Sequence, residues 1–268
     1  MRAAVAMALA VCLAGGAASA CEQPPWVGAA MDGSLAQVTG AAPGPVAAWF
    51  EAPTTRYAHG VLGDAVEAGA LVAQLDDFPT CITGRIELPQ AEVFEDLAPR
   101  LVDLDGDGRA EIVVVQSHRD LGARLAVYGP TSDGAGLTLR AATPNIGQPN
   151  RWLAPIGAAD LDGDGTMEIA YIDRPHLART LRVWRFTSDR SGARLTEVAA
   201  LAGLTNHRIG EDFITGGIRD CGTGPEIITA NADWSRVMLT TLSPSGDLTS
   251  RDIGRFSPAA IAGALACR

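Results

Sequence analysis

The sequence contains no lysine, so all 21 of its basic residues are arginine. The 31 acidic residues outnumber them and give a formal net charge of −10 at pH 7 with neutral histidine. This balance excludes the broad basic surface with which proteins bind nucleic acid or anionic lipid. It is typical of a soluble exported protein, and it is also compatible with the binding of cations.

Long apolar runs are absent after residue 20, which argues against a transmembrane helix in the rest of the chain. Before it, the single charge of Arg2 is followed by small and apolar residues up to Ala18-Ser19-Ala20. This pattern predicts a secretory signal peptide over residues 1–20 and a periplasmic or secreted protein. A lipoprotein is the alternative, because Cys21 directly follows the cleavage site, although Ala18 stands where a lipidation signal has Leu.

Cysteine is scarce, and one of the five, Cys12, would leave with the signal peptide. The spacing of the others matches neither a zinc site nor a CxxC redox site. In an oxidising compartment we expect them to form two disulfides, for which three pairings are possible. The four residues concerned are Cys21, Cys81, Cys221 and Cys267.

The common catalytic motifs GxSxG and HExxH and the phosphate-binding loop are missing from the sequence. One motif instead occurs twice: "DLDGDG" begins at Asp103 and, 57 residues later, at Asp160. After two intervening residues, each copy is followed by a glutamate and then by an apolar run rich in residues that favour β-strands. The repetition makes this loop the most informative feature of the chain.

Each copy places carboxylates at loop positions 1, 3, 5 and 9, with glycine at 6 for a sharp reversal and a backbone carbonyl at 7. Hard oxygen ligands in this number select Ca²⁺ over Zn²⁺ or Cu²⁺. An EF-hand is excluded, because position 12 is Val114 or Tyr171 rather than Glu. We therefore predict two calcium sites, one formed by Asp103, Asp105, Asp107, Arg109 and Glu111, the other by Asp160, Asp162, Asp164, Thr166 and Glu168.

The loops belong to a longer repeat. "EIVVVQ", "EIAYID" and "EIITAN" each begin a strand that a polar turn connects to a second alternating strand, and further short strands follow. The third copy, around Glu226, has lost most carboxylates, so no metal is predicted there. The stretch "HGVLGDAVEAGALVAQ" resembles a fourth, eroded copy with Asp64 in the place of Asp103.

Four short strands per repeat fit one blade of a propeller, whereas a β-sandwich and an open solenoid are the alternatives. We predict an all-β fold, a β-propeller of four-stranded blades, with about five blades at roughly 50 residues each and four to seven possible. It would form a single domain over residues 21–268. The terminal segments, residues 22–52 and 248–268, would complete the ring together, with a short helix in "SPAAIAGALAC".

The two stretches "DLDGDGRAEIVVV" and "DLDGDGTMEIAYI" resemble the FG-GAP repeat of VCBS-repeat proteins and integrin α-subunit-like propellers. The resemblance implies calcium loops between blade strands and extends by spacing over residues 55–245. The "FG" and "GAP" signatures themselves are reduced to "LAP" at Leu97–Pro99 and Leu153–Pro155. Since propellers commonly close by joining both termini, it favours a Cys21–Cys267 disulfide, which leaves Cys81–Cys221.

The turns that follow the metal-loop strands should share one face of a propeller, which we call the rim. Polar residues gather there, and "TTRYAHG", with Tyr57 and His59, precedes the first repeat strand in the same way. Such side chains suit either a ligand pocket or ordinary loop capping. The candidate ligand-binding residues are His118, Asp173, His176, His207, Arg208, Glu211 and Asp212.

These features predict an exported, calcium-binding propeller that acts as a binding module rather than as an enzyme. We expect a monomer whose partner is a protein or a glycan, with no nucleic-acid partner. The alternative is a carbohydrate-active hydrolase or lyase that uses the histidine, aspartate and arginine side chains of the rim. A concave pocket lined by these side chains would favour the enzyme, and a flat face of ion pairs would favour the binding module.

Overall fold

The computed structural model describes residues 21, 29–38, 44–77 and 80–268. The predicted signal peptide, residues 1–20, lies outside the described residues. Within them the chain is nearly all β, with a single helix, which confirms the predicted all-β class. None of the helices described is long and apolar enough to cross a membrane.

The strands are short and follow one another closely along the chain. They are β1 (Ala36–Gln37), β2 (Gly44–Thr54), β3 (Glu67–Asp77), β4 (Thr80–Glu87), β5 (Glu92–Phe94), β6 (Arg100–Val102), β7 (Glu111–His118), β8 (Gly122–Pro130), β9 (Leu137–Ala142), β10 (Leu153–Ala159), β11 (Glu168–Asp173), β12 (Thr180–Asp189), β13 (Gly192–Ala202), β14 (Leu204–Thr205), β15 (Gly217–Asp220), β16 (Pro225–Asn231), β17 (Arg236–Leu242) and β18 (Leu248–Arg255).

These strands form repeated antiparallel units of four. Strands β6–β9, β10–β13 and β15–β18 each pair in chain order, and β14 adds to the last unit through β16. Strands β1–β4 make a first unit, and β5 joins it to the second by pairing with both β3 and β7. The four-strand repeat predicted from the sequence is therefore present.

Neighbouring units pack face to face and share apolar clusters. The central strands β7 and β11 are the most buried, which explains why their sequences are almost continuously apolar. One cluster joins the second and third units and a second cluster joins the third and fourth. The first contains Val113, Val115, Leu125, Val127, Ile169, Tyr171, Trp184 and Phe186, and the second contains Ala170, Ile172, Leu181, Val183, Ile227 and Leu242. This stacking is what a propeller requires of adjacent blades, whereas ring closure and blade number stay predictions.

The C-terminal helix α1 (Pro258–Leu265) covers the last unit. Ser257 caps it by accepting the backbone N–H of Ala260, and Pro258 begins it, so the predicted helix is confirmed. Its Ile261 and Ala264 pack on Ile228, Val237 and Leu239. Among the described strands, β18 pairs with β17, and β2 pairs with β1 and β3, so no strand of one terminal segment pairs with a strand of the other. That these segments complete a ring together stays a prediction.

Asp64 does not take the place of Asp103, which corrects the predicted fourth copy. It lies in the turn between β2 and β3, and Asp64 Oδ1 accepts the backbone N–H of Val66 at 2.7 Å. Gly44, the first residue of β2, lies against Arg109 of the first DLDGDG loop, so the turn that follows β2 lies at the other end of that strand. Asp64 and the DLDGDG loop that precedes β7 are therefore at opposite ends. Sequence similarity misleads here because both ends of a strand carry Gly- and Asp-rich turns.

Two disulfides are present, as predicted, but the predicted pairing is wrong. The bonds are Cys21–Cys81 and Cys221–Cys267, with Cα atoms 5.3 Å and 5.7 Å apart. Cys81 lies in β4, and the Cys21 sulfur is 3.7 Å from the carbonyl oxygen of Leu75 on the neighbouring strand. Cys267 follows α1, which packs on the sheet that contains the loop of Cys221. Each disulfide thus fastens one end of the chain to its nearest unit.

We expect the Cys221–Cys267 bond to stabilise the last unit, because it holds α1 over the apolar face of that sheet. Replacing both cysteines with serine should lower the free energy of unfolding by roughly 4 kcal/mol, the chain-entropy value for a loop of this length. Urea denaturation of the double variant and of the wild type measures the difference. Peptide mapping without reductant checks the pairing, and a Cys21–Cys267 peptide would contradict this structure.

Glu67, the first residue of β3, is an acidic side chain that is only 4% exposed. It lines a cavity of about 310 Å³ with four aspartates, Asp32, Asp64, Asp96 and Asp212. Burial, together with the nearby charges of Glu95, Asp64 and Asp96, raises the pKa of Glu67 to about 9. The folded protein therefore holds a proton on Glu67 at pH values where the unfolded chain has lost it.

Because the folded-state pKa of Glu67 is raised, its contribution to stability falls as pH rises from about 4.5 to about 9. The Glu67→Gln variant should remove this decrease in the free energy of unfolding, which amounts to at most about 1.4 kcal/mol per pH unit. Thermal melts at pH 5, 7 and 9 with EDTA measure it. Equal pH slopes for the wild type and the variant would show that Glu67 does not titrate in this range.

Candidate functional site

The two DLDGDG loops fold in the same way. The first connects β6 to β7, and the second connects β10 to β11. In the first loop, the Asp103 carboxylate accepts the backbone N–H groups of Gly106 and Gly108, and the Glu111 carboxylate accepts that of Leu104. Asp160 and Glu168 accept the corresponding N–H groups of the second loop. Gly108 and Gly165 have φ angles of 84° and 87°, which explains why position 6 is glycine.

Each loop gathers three carboxylates whose oxygens lie within 4.8 Å of one another. The groups are Asp103, Asp105 and Glu111 in one loop, and Asp160, Asp162 and Glu168 in the other. Asp107 and Asp164 lie outside these groups and accept the backbone N–H of Arg109 and Thr166. An all-oxygen donor set, partly buried and strongly acidic, fits a divalent cation of the hardness of Ca²⁺.

An arginine lies against each acidic group, which the sequence analysis missed. Arg185, on β12, is bound by three carboxylates of the second loop: Nη2 contacts Asp162, Nη1 is 3.2 Å from Asp164, and Nε is 2.7 Å from Glu168. In the first loop, Arg140 of β9 is more distant, at 3.5 Å from both Asp105 and Glu111. The strand register could have revealed Arg185 as a neighbour of this loop, since Arg185 lies directly opposite Glu168 in the β11–β12 ladder.

The fourth unit has an ion pair where the second and third units have an acidic loop. Glu226 corresponds to Glu111 and Glu168, and Arg219 of β15 binds its carboxylate through Nε at 2.9 Å and Nη2 at 2.8 Å. The Arg219 guanidinium also donates to the carbonyl of Ala264 in α1. Among the described residues, no acidic group of the kind found in the two loops occurs here. The guanidinium therefore offsets the charge of this glutamate directly.

Burial opposes ionisation of the loop glutamates. It raises the pKa of Glu111 to about 7, although the N–H of Leu104 works against this shift. Burial also raises the pKa of Glu168, and here the hydrogen bond from Arg185 is the main opposing contribution. A nearby positive charge, whether a guanidinium or a metal ion, would therefore stabilise the ionised form of both carboxylates.

The structure brings together three of the predicted rim residues. His176 Nε2 is 3.0 Å from His207 Nδ1, and His207 Nε2 is 2.9 Å from the carbonyl oxygen of Glu211. Because a carbonyl only accepts, His207 donates from Nε2, and His176 donates from Nε2 to the lone pair on His207 Nδ1. Burial lowers the pKa of both rings, that of His176 to about 4, with His207 and His59 adding to this shift. Both imidazoles are therefore neutral at pH 7.

The other predicted rim residues make separate contacts. Asp173 is bound by Arg174 and Arg182, and Arg208 pairs with Glu211 and stacks 3.8 Å from the centroid of the Trp234 ring. His118 accepts the N–H of Asp120 in its own turn. Asp212 lines the acidic cavity of Glu67 instead. The structure therefore gathers His176, His207 and Glu211, with Arg208 beside Glu211, and leaves His118 and Asp212 apart.

Glu95 and its partners are functional candidates that the sequence analysis missed. The Glu95 side chain is fully buried, its Oε1 is 2.5 Å from His59 Nδ1, and its Oε2 accepts from the Ser117 hydroxyl group. The backbone carbonyl of Glu95 accepts the indole N–H of Trp152 at 2.8 Å. Burial raises the pKa of Glu95, and the hydrogen bond from His59 opposes this shift. A carboxylate that holds an imidazole by Nδ1 fixes its orientation and tautomer.

His59 and His176 line a common cavity of about 210 Å³ on the rim. Its other lining residues are Asn150, Arg151, Trp152, Arg174, Leu177 and Ile209. Together with His59 and His176, these residues come from four separate segments of the chain. The backbone N–H of Gly210 donates to the carbonyl of Val61 at 3.0 Å, which ties a loop of the last unit to a turn of the first. The cavity is thus a product of tertiary structure.

Comparison with known proteins identifies the repeat. A family model described as an FG-GAP-like repeat matches residues 103–171, which contain both loops. The crystal structure of Saccharomyces cerevisiae Sqt1 aligns at 11% identity with a TM-score of 0.33, over 74% of this chain and 45% of that chain, so this chain spans less than half of that protein. No curated protein matches the chain. The chain therefore carries an FG-GAP-like repeat, as the resemblance of its two loops predicts.

Proposed function

We propose that this protein is an exported, calcium-binding, β-propeller-like binding module in which calcium stabilises the loops and the rim recognises the ligand. One observation carries the proposal: two loops in successive units repeat the same hydrogen bonds and gather the same three carboxylates. Turn chemistry alone needs the aspartates and glycines, but it does not need the buried glutamate at position 9. A cation shared by the three carboxylates explains why all three occur in both loops.

Export is supported by the cysteines and by the N-terminal sequence. The four cysteines outside the predicted signal peptide are all paired, as expected in an oxidising compartment. The composition of residues 1–20 is that of a signal peptide. A periplasmic or secreted protein would meet calcium concentrations high enough to fill sites of modest affinity.

Calcium would act as a structural ion in this proposal. The clustered carboxylates and the carbonyl of Arg109 or Thr166 would occupy much of its coordination sphere, which leaves little room for a ligand. Its charge would offset the buried acidic side chains and hold the connection between two strands of one unit. Recognition of a protein or glycan partner therefore falls to the rim, at the opposite end of the strands.

One observation favours the enzymatic alternative, a hydrolase or lyase acting on carbohydrate. The cavity that His59 and His176 line is concave, and Glu95 holds His59 as carboxylates hold catalytic histidines. Against it, Asp173, Arg174 and Arg182 are tied into ion pairs, as in a binding face. Ser117 contacts Glu95 rather than His59, so it does not have the geometry of an activated nucleophile.

We expect two calcium-binding events, each with a dissociation constant of about 10⁻⁴–10⁻³ M, as in other extracellular modules. Asp105→Ala should remove one event and Asp162→Ala the other, because each deletes one of the clustered carboxylates. Isothermal titration of the apoprotein and its variants counts the sites. Asp247→Ala, in the exposed turn between β17 and β18, is the matched control. A wild type without any calcium-dependent rise in melting temperature would contradict the proposal.

Arg185 and Arg140 should affect calcium differently. Because Arg185 is bound to three carboxylates of the second loop, the ion must displace its guanidinium or bind beside it. Removing this charge with Arg185→Gln should strengthen calcium binding at the second loop by about tenfold and destabilise the calcium-free protein.

The matched variant Arg140→Gln should produce a smaller gain at the first loop, since its guanidinium is 3.5 Å from both carboxylates. Titration of each variant in an Asp105→Ala or Asp162→Ala background assigns the change to one loop. Weaker calcium binding in Arg185→Gln would mean that the arginine supports the ion rather than competing with it.

A further inference from the structure

The lining of the cavity between His59 and His176 contains arginine, in contrast to the acidic chain as a whole, whose net charge is −10. Arg151 and Arg174 belong to this lining, and none of the described residues that line it is acidic. Asp173 lies behind Arg174 and binds its Nε and Nη2 atoms, which holds the guanidinium in place. Two arginines in a small cavity of an acidic protein indicate an anionic ligand.

The two imidazoles of the cavity offer ring nitrogens to a ligand. The contact of His59 Nδ1 with Glu95 fixes this ring and leaves Nε2 for a ligand hydroxyl group. His176 donates from Nε2 to His207, so its Nδ1 carries the lone pair. This lone pair repels a second anionic group and accepts a hydrogen bond from a hydroxyl group. The ligand that satisfies both sets of groups carries a carboxylate and hydroxyls.

The backbone around the cavity is held in an uncommon conformation. Asn150 and Arg174 both have positive φ angles, 51° and 46°, and both line the cavity. The backbone N–H of Asn150 is bonded to the Tyr57 hydroxyl at 3.1 Å, and that of Arg174 to the carbonyl of Trp152 at 3.0 Å. Non-glycine residues keep such angles where surrounding contacts impose them, often at ligand sites. The cavity is therefore preorganised.

Leu177 and Ile209 give the mouth of the cavity an apolar border. Their exposed fractions are 64% and 72%, which is high for large aliphatic side chains. Trp152, only 2% exposed, closes the base, and its indole N–H is already used by Glu95. A ligand with an aliphatic carbon skeleton would cover these surfaces.

We propose that this cavity binds a small hydroxy acid, whose carboxylate contacts Arg151 and Arg174 and whose hydroxyl groups contact His59 and His176. The inference rests on the part of the proposed function that assigns recognition to the rim. It adds the chemical class of the ligand and the residues that select it. It does not depend on calcium, because the metal loops lie at the other end of the strands.

Three six-carbon probes separate the two features of the ligand. Gluconate has a carboxylate and hydroxyls, sorbitol has the hydroxyls alone, and hexanoate has the carboxylate alone. We expect isothermal titration in EDTA to show binding of gluconate and at least about tenfold weaker binding of the other two, since a charge-assisted hydrogen bond is worth a factor of this size. Absence of gluconate binding, or equal binding of hexanoate, would overturn the proposal.

Arg151→Gln should weaken gluconate binding by about tenfold, and the matched Arg119→Gln, on an exposed rim turn outside the cavity, should leave it unchanged. The Asp105→Ala, Asp162→Ala double variant excludes chelation at the metal loops and should bind gluconate as the wild type does. Unchanged gluconate affinity in Arg151→Gln would refute the site. Gluconate binding without calcium binding would refute only the metal proposal, and the reverse result would refute only the hydroxy-acid site.

Discussion

A glutamate near the start of the central strand is the constraint on which the second, third and fourth units depend. Glu111 and Glu168 close their loops by accepting a backbone N–H group, and this position removes them from water. An isolated buried carboxylate is costly, so the fold must supply a positive charge. Three arginines supply it in different ways. Arg140 lies 3.5 Å from two carboxylates, and Arg185 contacts three. Arg219 binds one carboxylate oxygen of Glu226 through two of its nitrogens.

The loops of the units differ in their number of carboxylates, and the contacts of the neighbouring arginine differ with that number. Where the full set of carboxylates is present, one guanidinium offsets only part of their charge. In the fourth unit the loop has lost most of its carboxylates, and Arg219 pairs with Glu226 directly. The same arginine also binds α1, so the ion pair connects the last unit to the helix that covers it.

The two ends of the strands carry different side chains. Acidic loops occupy one end, while the lining of the cavity at the other end contains two arginines and two histidines. The β-strands between them keep these two groups of side chains apart. The contact of the loop around Gly210 with the turn at Val61 then brings first and last units together over the rim.

The sequence by itself determined the strands, the repeated unit, the C-terminal helix and the two acidic loops, because hydrophobic alternation, capping and loop spacing act within a few residues. Only the tertiary structure decided which cysteines pair, that Asp64 lies at the rim end, and that Arg185 and Arg140 face the carboxylates. It also decided the contact of His59 with Glu95, which are 36 residues apart. These partners meet because neighbouring sheets stack and strands return antiparallel, and no local pattern records which distant residues that packing brings together.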